Sequence, residues 1–408
     1  MYSGWRALKA VLPWVPERRL PGARRLLCGG LGLFLLATLA VAAAKPADAT
    51  GLLGFSTEER ARILAHGPWP AVPRADAGNA VQARPAARAF GRRLFSDPRL
   101  SADGRVSCAT CHVPALAFQD GLMRPVPRDG RPAGARNTPS LFDTAAKRWL
   151  GWDGAHDSVW AASLAPLLAG AEMGHTPATL AARVRSTPAL RQGYRHALGP
   201  VPASDEALVV GLAKSLAAYQ ATLVSARAPF DTFRDAMQLG DTRVAALYPL
   251  AAQRGLRLFV GEARCSVCHA GPAFSNGEFA DIGVPFFVPG GVDPGRHAGL
   301  HKLLASRYSR LGPFNDGAAA DPRAVSTRHV FIEHRHFGEF RVPGLRQLSR
   351  TAPYMHDGSL PTLQAVVQHY AELNEERLHA DGERILRRLD LTAAQSADLV
   401  AFLRSLSP

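Results

Sequence analysis

Cysteine is scarce in this chain, with five in 408 residues. That excludes a small fold stapled by disulfides. Charge is sparse as well, at 20% of residues against 47% hydrophobic. The chain is therefore too apolar to be disordered as a whole and long enough for two or three domains. No alternating polar and apolar run is long enough to argue for a sheet. Only one long hydrophobic run occurs, which excludes a polytopic membrane protein. The net charge of +14 comes without a lysine-rich arm or a nucleic-acid motif. Its arginines are scattered, as on a solvated surface. Six basic residues and one acid precede Lys45, so part of the excess lies outside the folded body.

The single long apolar run is Leu26–Ala44, uncharged and preceded by Arg24 and Arg25. Positive charge ahead of such a run favours export of the chain downstream of it. Ala42, Ala43 and Ala44 offer a cleavage point, as does the Ala47-Asp48-Ala49 step. Residues 1–49 read as a signal peptide or an uncleaved anchor, and the remainder is expected in the periplasm. Any membrane contact is expected through that anchor alone. Cys28 sits inside the run behind Leu27, a poor context for lipid attachment.

Helical spacing marks Thr57–Ala65, Arg84–Phe95, Ser158–Leu168, Pro177–Ser186, Asp205–Leu223, Ala245–Val260, Leu360–Tyr370 and Thr392–Leu406. Residues 96–157 are dense in turns. Residues 271–340 are rich in Gly and Pro with little periodicity, and a loop that long needs something to order around. The predicted fold is mainly α.

The other four cysteines form two pairs of one pattern, Cys108-Ala-Thr-Cys111-His112 and Cys265-Ser-Val-Cys268-His269. Cys-x-x-Cys-His is the attachment signal for c-type haem. Two thiols three positions apart on a helical turn reach both vinyl groups, and the next imidazole faces the iron. A four-cysteine zinc site or two redox pairs would leave the histidines unexplained. Two covalent c-type haems predict two tandem cytochrome c-like haem domains with long structured loops, over 50–228 and 229–408. A faint repeat supports this: Arg92–Phe95 reads RRLF and Leu256–Phe259 reads LRLF, each ahead of one motif.

An enzyme needs one open haem, whereas a pure electron carrier has both filled. Few ligand candidates come after His112; Met123 is the only Met or His in Gly121–Arg136. Trp149–Gly154, Pro166 and Ala171–Gly174 outline a pocket with Glu172 as its acid. A carboxyl there can shuttle the peroxide proton. Glu172 also reads as an exposed loop acid, and Met173 as core filler or ligand.

These motifs, with LFSDPRLS before the first pair, ARNTPSL at Ala135–Leu141, AEMG at Ala171–Gly174 and TAPYMHDGSLPTL at Thr351–Leu363, resemble the bacterial dihaem cytochrome c peroxidase family, including its MauG branch. The resemblance spans nearly all of residues 55–407. It implies a peroxidatic N-terminal haem, an electron-transferring C-terminal haem and a calcium ion between them. By position it implies Glu172 as the distal acid, Trp152 as a relay between the haems and Pro166 in the distal pocket. Asn137, Thr351 and Pro353 match the calcium positions, where oxygen suits a hard cation. Many of these peroxidases block the first haem with a histidine where this chain has Asp129, and no histidine occurs from 113 to 155. The usual methionine ligand of the second haem is replaced by Tyr370, as in the MauG branch; His369, His356 and Met355 remain alternatives. Hydrogen peroxide is the implied oxidant. The partner is a small cytochrome c, a copper protein or a protein substrate. MauG-like oxidation of that substrate competes with peroxide detoxification and with a non-catalytic dihaem carrier. The five histidines of 284–340 read as a solvated loop or part of a partner-facing surface.

Overall fold

Serine, threonine and proline mark the helix starts in the computed structural model. It describes residues 51–408 except 72–74, 127–131, 133, 286, 289–290, 318–320 and 383–384. The export segment, Cys28 and Asp129 lie outside the described residues. The fourteen helices are α1 (Thr57–Leu64), α2 (Pro85–Phe95), α3 (Cys108–Cys111), α4 (Val159–Leu168), α5 (Pro177–Ser186), α6 (Pro188–Leu198) and α7 (Asp205–Gln220), then α8 (Pro229–Leu239), α9 (Thr242–Ala245), α10 (Leu250–Val260), α11 (Arg296–Ala305), α12 (Ala324–Arg328), α13 (Leu363–Ala371) and α14 (Ala393–Arg404). The described strands are two residues long. Phe279–Ala280 pairs antiparallel with Phe340–Arg341, and Phe287–Val288 with Gly291–Val292. The fold is mainly α. No helix among the described residues is long and apolar enough to cross a membrane.

Local chemistry explains the helix boundaries. The Ser56 hydroxyl accepts the Glu59 N–H at 3.1 Å and caps α1. Thr362 and Thr392 cap α13 and α14 in the same way. The helix expected over Ala245–Val260 is broken: α9 ends at Ala245, and α10 starts after Pro249, which has no N–H for a continuing helix. Helices α6 and α8 each begin on a proline in the first turn, where an N–H is not needed. Helix α11 falls inside the stretch that shows little periodicity.

Two apolar cores carry the helices. The first gathers Phe90 and Leu94 of α2, Trp160 and Leu164 of α4, Leu180 of α5 and Leu212 and Leu216 of α7. The second gathers Phe230 and Phe233 of α8, Leu256 and Phe259 of α10, Val367 of α13 and Phe402 of α14. Helix α1 precedes both motifs in sequence, yet its Ile63 is buried in the second core. Arg62 fastens it by donating to the Val260 carbonyl at 2.8 Å.

The two cores repeat one helix crossing. A Cβ on Gly91 of α2 would stand 1.9 Å from the Ser215 carbonyl oxygen of α7. A Cβ on Gly255 of α10 would stand 1.9 Å from the Asp398 carbonyl oxygen of α14. Each glycine opens the repeated stretch, GRRLF in α2 and GLRLF in α10. The repeat therefore encodes backbone-to-backbone contact as well as the core leucine and phenylalanine. A methyl group cannot be absorbed where the obstacle is main chain. Gly255→Ala is expected to lower stability by about 1–3 kcal/mol. Thermal unfolding of the variant checks this, and an unchanged midpoint would contradict the crossing.

The 271–340 stretch orders around residues 149–157. Leu300 and Leu303 of α11 pack on Trp149 in a small third core. The Arg310 N–H and the Thr327 hydroxyl both donate to the Asp157 carboxylate, at 2.8 Å each. Arg136 bridges Asp153 and Asp293 at 2.7 Å each. Burial works against both charges of the first pair, yet the two carboxylates hold the Arg136 guanidinium above its usual range, and Arg136 holds Asp153 below its own. Buried charge of this kind is tolerated only when paired.

Candidate functional site

The two Cys-x-x-Cys-His motifs sit on matching scaffolds. Each comes after a helix whose phenylalanine, Phe95 or Phe259, meets a second one, Phe118 or Phe274, edge to face at 6.0 Å. Both second phenylalanines have positive φ, 59° and 55°. That unusual backbone turns a carbonyl onto each histidine. His112 Nδ1 lies 2.9 Å from the Phe118 carbonyl, and His269 Nδ1 lies 3.0 Å from that of Phe274. Donation from Nδ1 fixes the tautomer and leaves Nε2 as the ligand atom. Burial lowers the pKa of both imidazoles, which favours the neutral form a metal takes.

None of the four motif cysteines is in a disulfide. Burial pushes Cys108 and Cys265 up to about 12 and Cys111 up to about 11. Such thiols are not reactive redox cysteines, which have depressed values. Among the described residues the four cysteines do not gather into one metal-holding cluster. The four-cysteine zinc reading therefore has no geometry to stand on. Each pair sits beside its own histidine on a haem-type scaffold, so the residues fit two separate c-type haems.

Glu172 faces the first motif. Its charge is felt by both Cys108 and Cys111. The carboxyl is raised above the ordinary glutamate range by burial alone. The turn that carries it closes the end of α4. The Glu172 and Gly174 N–H groups donate to the Ala169 carbonyl, the Met173 N–H to that of Pro166 and the His175 N–H to that of Leu167. Gly174, at φ 73°, supplies the left-handed residue this closure requires. Pro166 lies inside α4 and does not end it. Met173 is a member of the first core, and Met123 is more than half exposed.

The second motif opens onto a cavity of about 1330 Å³ whose walls include Cys265, Cys268, His269, Trp152 and Tyr370. That exceeds the roughly 300–1,000 Å³ of ordinary small-molecule pockets. Helix α13 sets Leu363, Val367 and Tyr370 at i, i+4 and i+7. The first two are buried in the second core, and the same face brings Tyr370 to the cavity. Burial raises the Tyr370 phenol far above its ordinary range, with Cys265 and Cys268 adding to the rise. The tyrosine therefore lies within electrostatic reach of the second motif. Its neighbour His369 is engaged elsewhere, with Nε2 2.8 Å from the Ile282 carbonyl. His356 is buried and stacks on Phe340 at 3.5 Å, and burial lowers it to about 4. Met355 also lines the cavity.

Trp152 donates its indole N–H to the Asn137 carbonyl at 2.9 Å. Asn137, Thr351 and Pro353 line the same cavity. The Asn137 amide donates to the Leu122 carbonyl at 2.7 Å, which leaves its side-chain oxygen as the acceptor end. Neutral oxygens of this kind suit calcium, although these three residues bring no carboxylate.

Two cations of the cavity wall carry no signal in the sequence. Arg341 is buried, and among the described residues its guanidinium donates to the Gly151 and Val342 carbonyls, at 3.2 and 3.4 Å. Burial lowers it to about 10. Burial, with repulsion from Arg341, lowers the Lys147 ammonium to about 7. Burying a cation is costly unless an anion comes to meet it. Lys147 sits beside Arg148 and Arg341 ends the short strand Phe340–Arg341, far apart in sequence, so only the fold brings them together.

A family model described as di-haem cytochrome c peroxidase matches residues 85–238. The methylamine utilization protein MauG of Methylorubrum extorquens is 33% identical over 98% of this chain and 96% of its own. A cytochrome-c peroxidase, IdrP1, of Denitromonas iodatirespirans is 33% identical over 84% of this chain and 86% of its own. A solved MauG-like protein associated with microbial copper homeostasis superposes with a TM-score of 0.62 at 26% identity, covering 84% of this chain and 95% of that one. The diheme peroxidase BthA of Burkholderia thailandensis shares the fold, with a TM-score of 0.63.

Proposed function

Because the chain belongs to the di-haem cytochrome c peroxidase family that includes MauG, we propose that this two-haem oxidoreductase is an exported, periplasmic enzyme that reacts with peroxide at its first haem and oxidises a partner protein through its second. The N-terminal domain, 50–228, holds the peroxidatic site, and the C-terminal domain, 229–408, exchanges electrons. Tyr370 beside the second Cys-x-x-Cys-His pair is the observation that carries this reading. Phenolate oxygen is a hard donor that lowers an iron potential, where thioether sulfur raises it. A phenolate ligand would also stabilise iron in its higher oxidation states, which suits a centre that holds oxidising equivalents for a protein side chain better than one that is easily reduced by a mild carrier.

The haems, when bound, supply the iron that takes peroxide and the centres that exchange electrons. Cys108, Cys111 and His112 would hold the first; Cys265, Cys268 and His269 would hold the second, with Tyr370 as a further ligand. Glu172 takes the proton of the incoming peroxide and returns it to the departing oxygen. Pro166 fixes the turn on which Glu172 rides. Trp152, hydrogen-bonded to the Asn137 carbonyl, stands in the cavity wall as the relay. Asn137, Thr351 and Pro353 hold a calcium ion that braces the same wall. The absence of histidine over 113–155 supports an open first site that needs no prior reduction.

The test is the optical and EPR spectrum of the ferric holoprotein, before and after one equivalent of hydrogen peroxide, without reductant. Loss of a high-spin signal within the mixing time is expected. No change until one haem is reduced would overturn the reading in favour of an ordinary peroxidase. Inertness in both redox states would leave a dihaem electron carrier.

A further inference from the structure

Outside the haem scaffolds, one group of side chains has the composition of a metal site. His334, His379 and Asp381 each place one potential ligand atom within 4.8 Å of the other two. His334 Nδ1 lies 3.0 Å from Asp381 Oδ2. The two imidazole rings stand 4.8 Å apart at 62°. We propose that this triad binds a late first-row divalent cation of the Cu2+ or Zn2+ class, separate from both haems and from calcium.

The chemistry of the donors decides the class. Two imidazoles and one carboxylate suit copper and zinc, whereas calcium takes oxygen alone. Donors bound at roughly 2.0–2.2 Å to one ion stand roughly 3–3.5 Å apart. The His334–Asp381 pair already has that separation. The third ligand needs only a side-chain adjustment, and two of the three residues are exposed. The backbone is prepared as well. The His379 N–H donates to Asp281 Oδ2 at 2.8 Å, which anchors that ligand's main chain. The ligands come from two segments far apart in sequence, the His334–His336 turn and the stretch after α13 that includes Leu378 and His379. Both segments contribute to the cavity wall. A bound ion would tie these walls together near the helix that carries Tyr370.

Zn2+ titrated calorimetrically into the ferric holoprotein is expected to show one high-affinity equivalent, unaffected by excess Ca2+. The double variant H334A/H379A is expected to bind that equivalent at least tenfold more weakly, with its haem spectrum and unfolding midpoint unchanged. Cu2+ at the wild-type site is expected to show nitrogen hyperfine structure in its EPR signal, absent from the double variant. A second pair in the same region, His297 and His301, has rings 5.0 Å apart. Loss of binding in H297A/H301A, with retention in H334A/H379A, would overturn the assignment. So would an isotherm unchanged by H334A/H379A.

Discussion

Glu172→Gln slows the reaction of the ferric holoprotein with hydrogen peroxide by about 10²–10⁴-fold, the range that a positioned acid–base group contributes. Glutamine keeps the shape and cannot accept a proton. The turn holding residue 172 is made by backbone N–H groups of residues 172–175 and carbonyls of α4, so the substitution leaves it intact. Haem content and thermal stability are therefore expected to match the parent protein. The pH dependence gives a second readout. Burial raises the Glu172 carboxyl above the ordinary glutamate range, so the ionised base is lost on acidification earlier than a solvated glutamate would be. The wild-type rate is expected to fall as pH drops through that raised value, and the glutamine variant to be flat over the same window. Stopped-flow mixing from pH 4 to pH 8 measures both. A glutamine variant with the parent rate and the parent pH profile would remove Glu172 from the chemistry.

How much of this molecule is legible in its sequence depends on how far each signal reaches along the chain. Cys108–His112 and Cys265–His269 are legible because thioether attachment fixes their spacing within one helical turn. The capped helices are legible for the same local reason, as Ser56, Thr362 and Thr392 show. The mainly α fold comes from them. Pro249 splits an otherwise continuous apolar pattern, and its effect depends on one missing N–H. Helix α11 has weak periodicity of its own; Leu300 and Leu303 gain their partner only when Trp149, some 150 residues earlier, is folded against them. The Arg136–Asp293 pair spans 157 positions. No local pattern encodes such a pairing, yet it converts the 271–340 stretch into a structured wall of the cavity. Arg341 and Lys147 are illegible for a related reason. Their lowered values come from burial, and for Lys147 from Arg341 beside it, which the linear order does not disclose.

The repeat shows a middle case. RRLF and LRLF look like a weak coincidence when only the large residues are compared. The glycine before each one makes it a packing rule, because Gly91 and Gly255 sit where two backbones meet. The carbonyls of Phe118 and Phe274 extend the parallel to the histidines. The two motifs, on matching scaffolds, then differ in the titratable residue that lies near their cysteines. Glu172 faces one motif and Tyr370 the other. Under the proposed function the first would move protons and the second would ligate, so the asymmetry would lie in two residues on a shared frame.

Tyr370→Met separates these roles and is expected to raise the potential of the second haem by an amount on the order of a few hundred millivolts, part of the ~0.8 V range that axial ligands command. The direction comes from donor chemistry. Oxygen favours the ferric state and sulfur the ferrous. Burial, the largest cause, holds the free phenol neutral, well above its ordinary range, and a buried phenolate needs a cation beside it. Tyr370→Phe gives the companion result, a vacant coordination position and a new high-spin signal in the EPR spectrum. His369→Ala is the discriminating control. Its imidazole bonds to the Ile282 carbonyl, so its loss is expected to reduce stability by about 0.5–1.5 kcal/mol and leave the potential in place. Redox titration of the three variants decides between the neighbours. A shifted potential in His369→Ala with none in Tyr370→Met would reverse the ligand assignment and, with it, the case for oxidation of a protein partner over simple peroxide removal. The expected pattern instead ties the low potential to one phenol on α13, placed by the same helical face that buries Leu363 and Val367 in the second core.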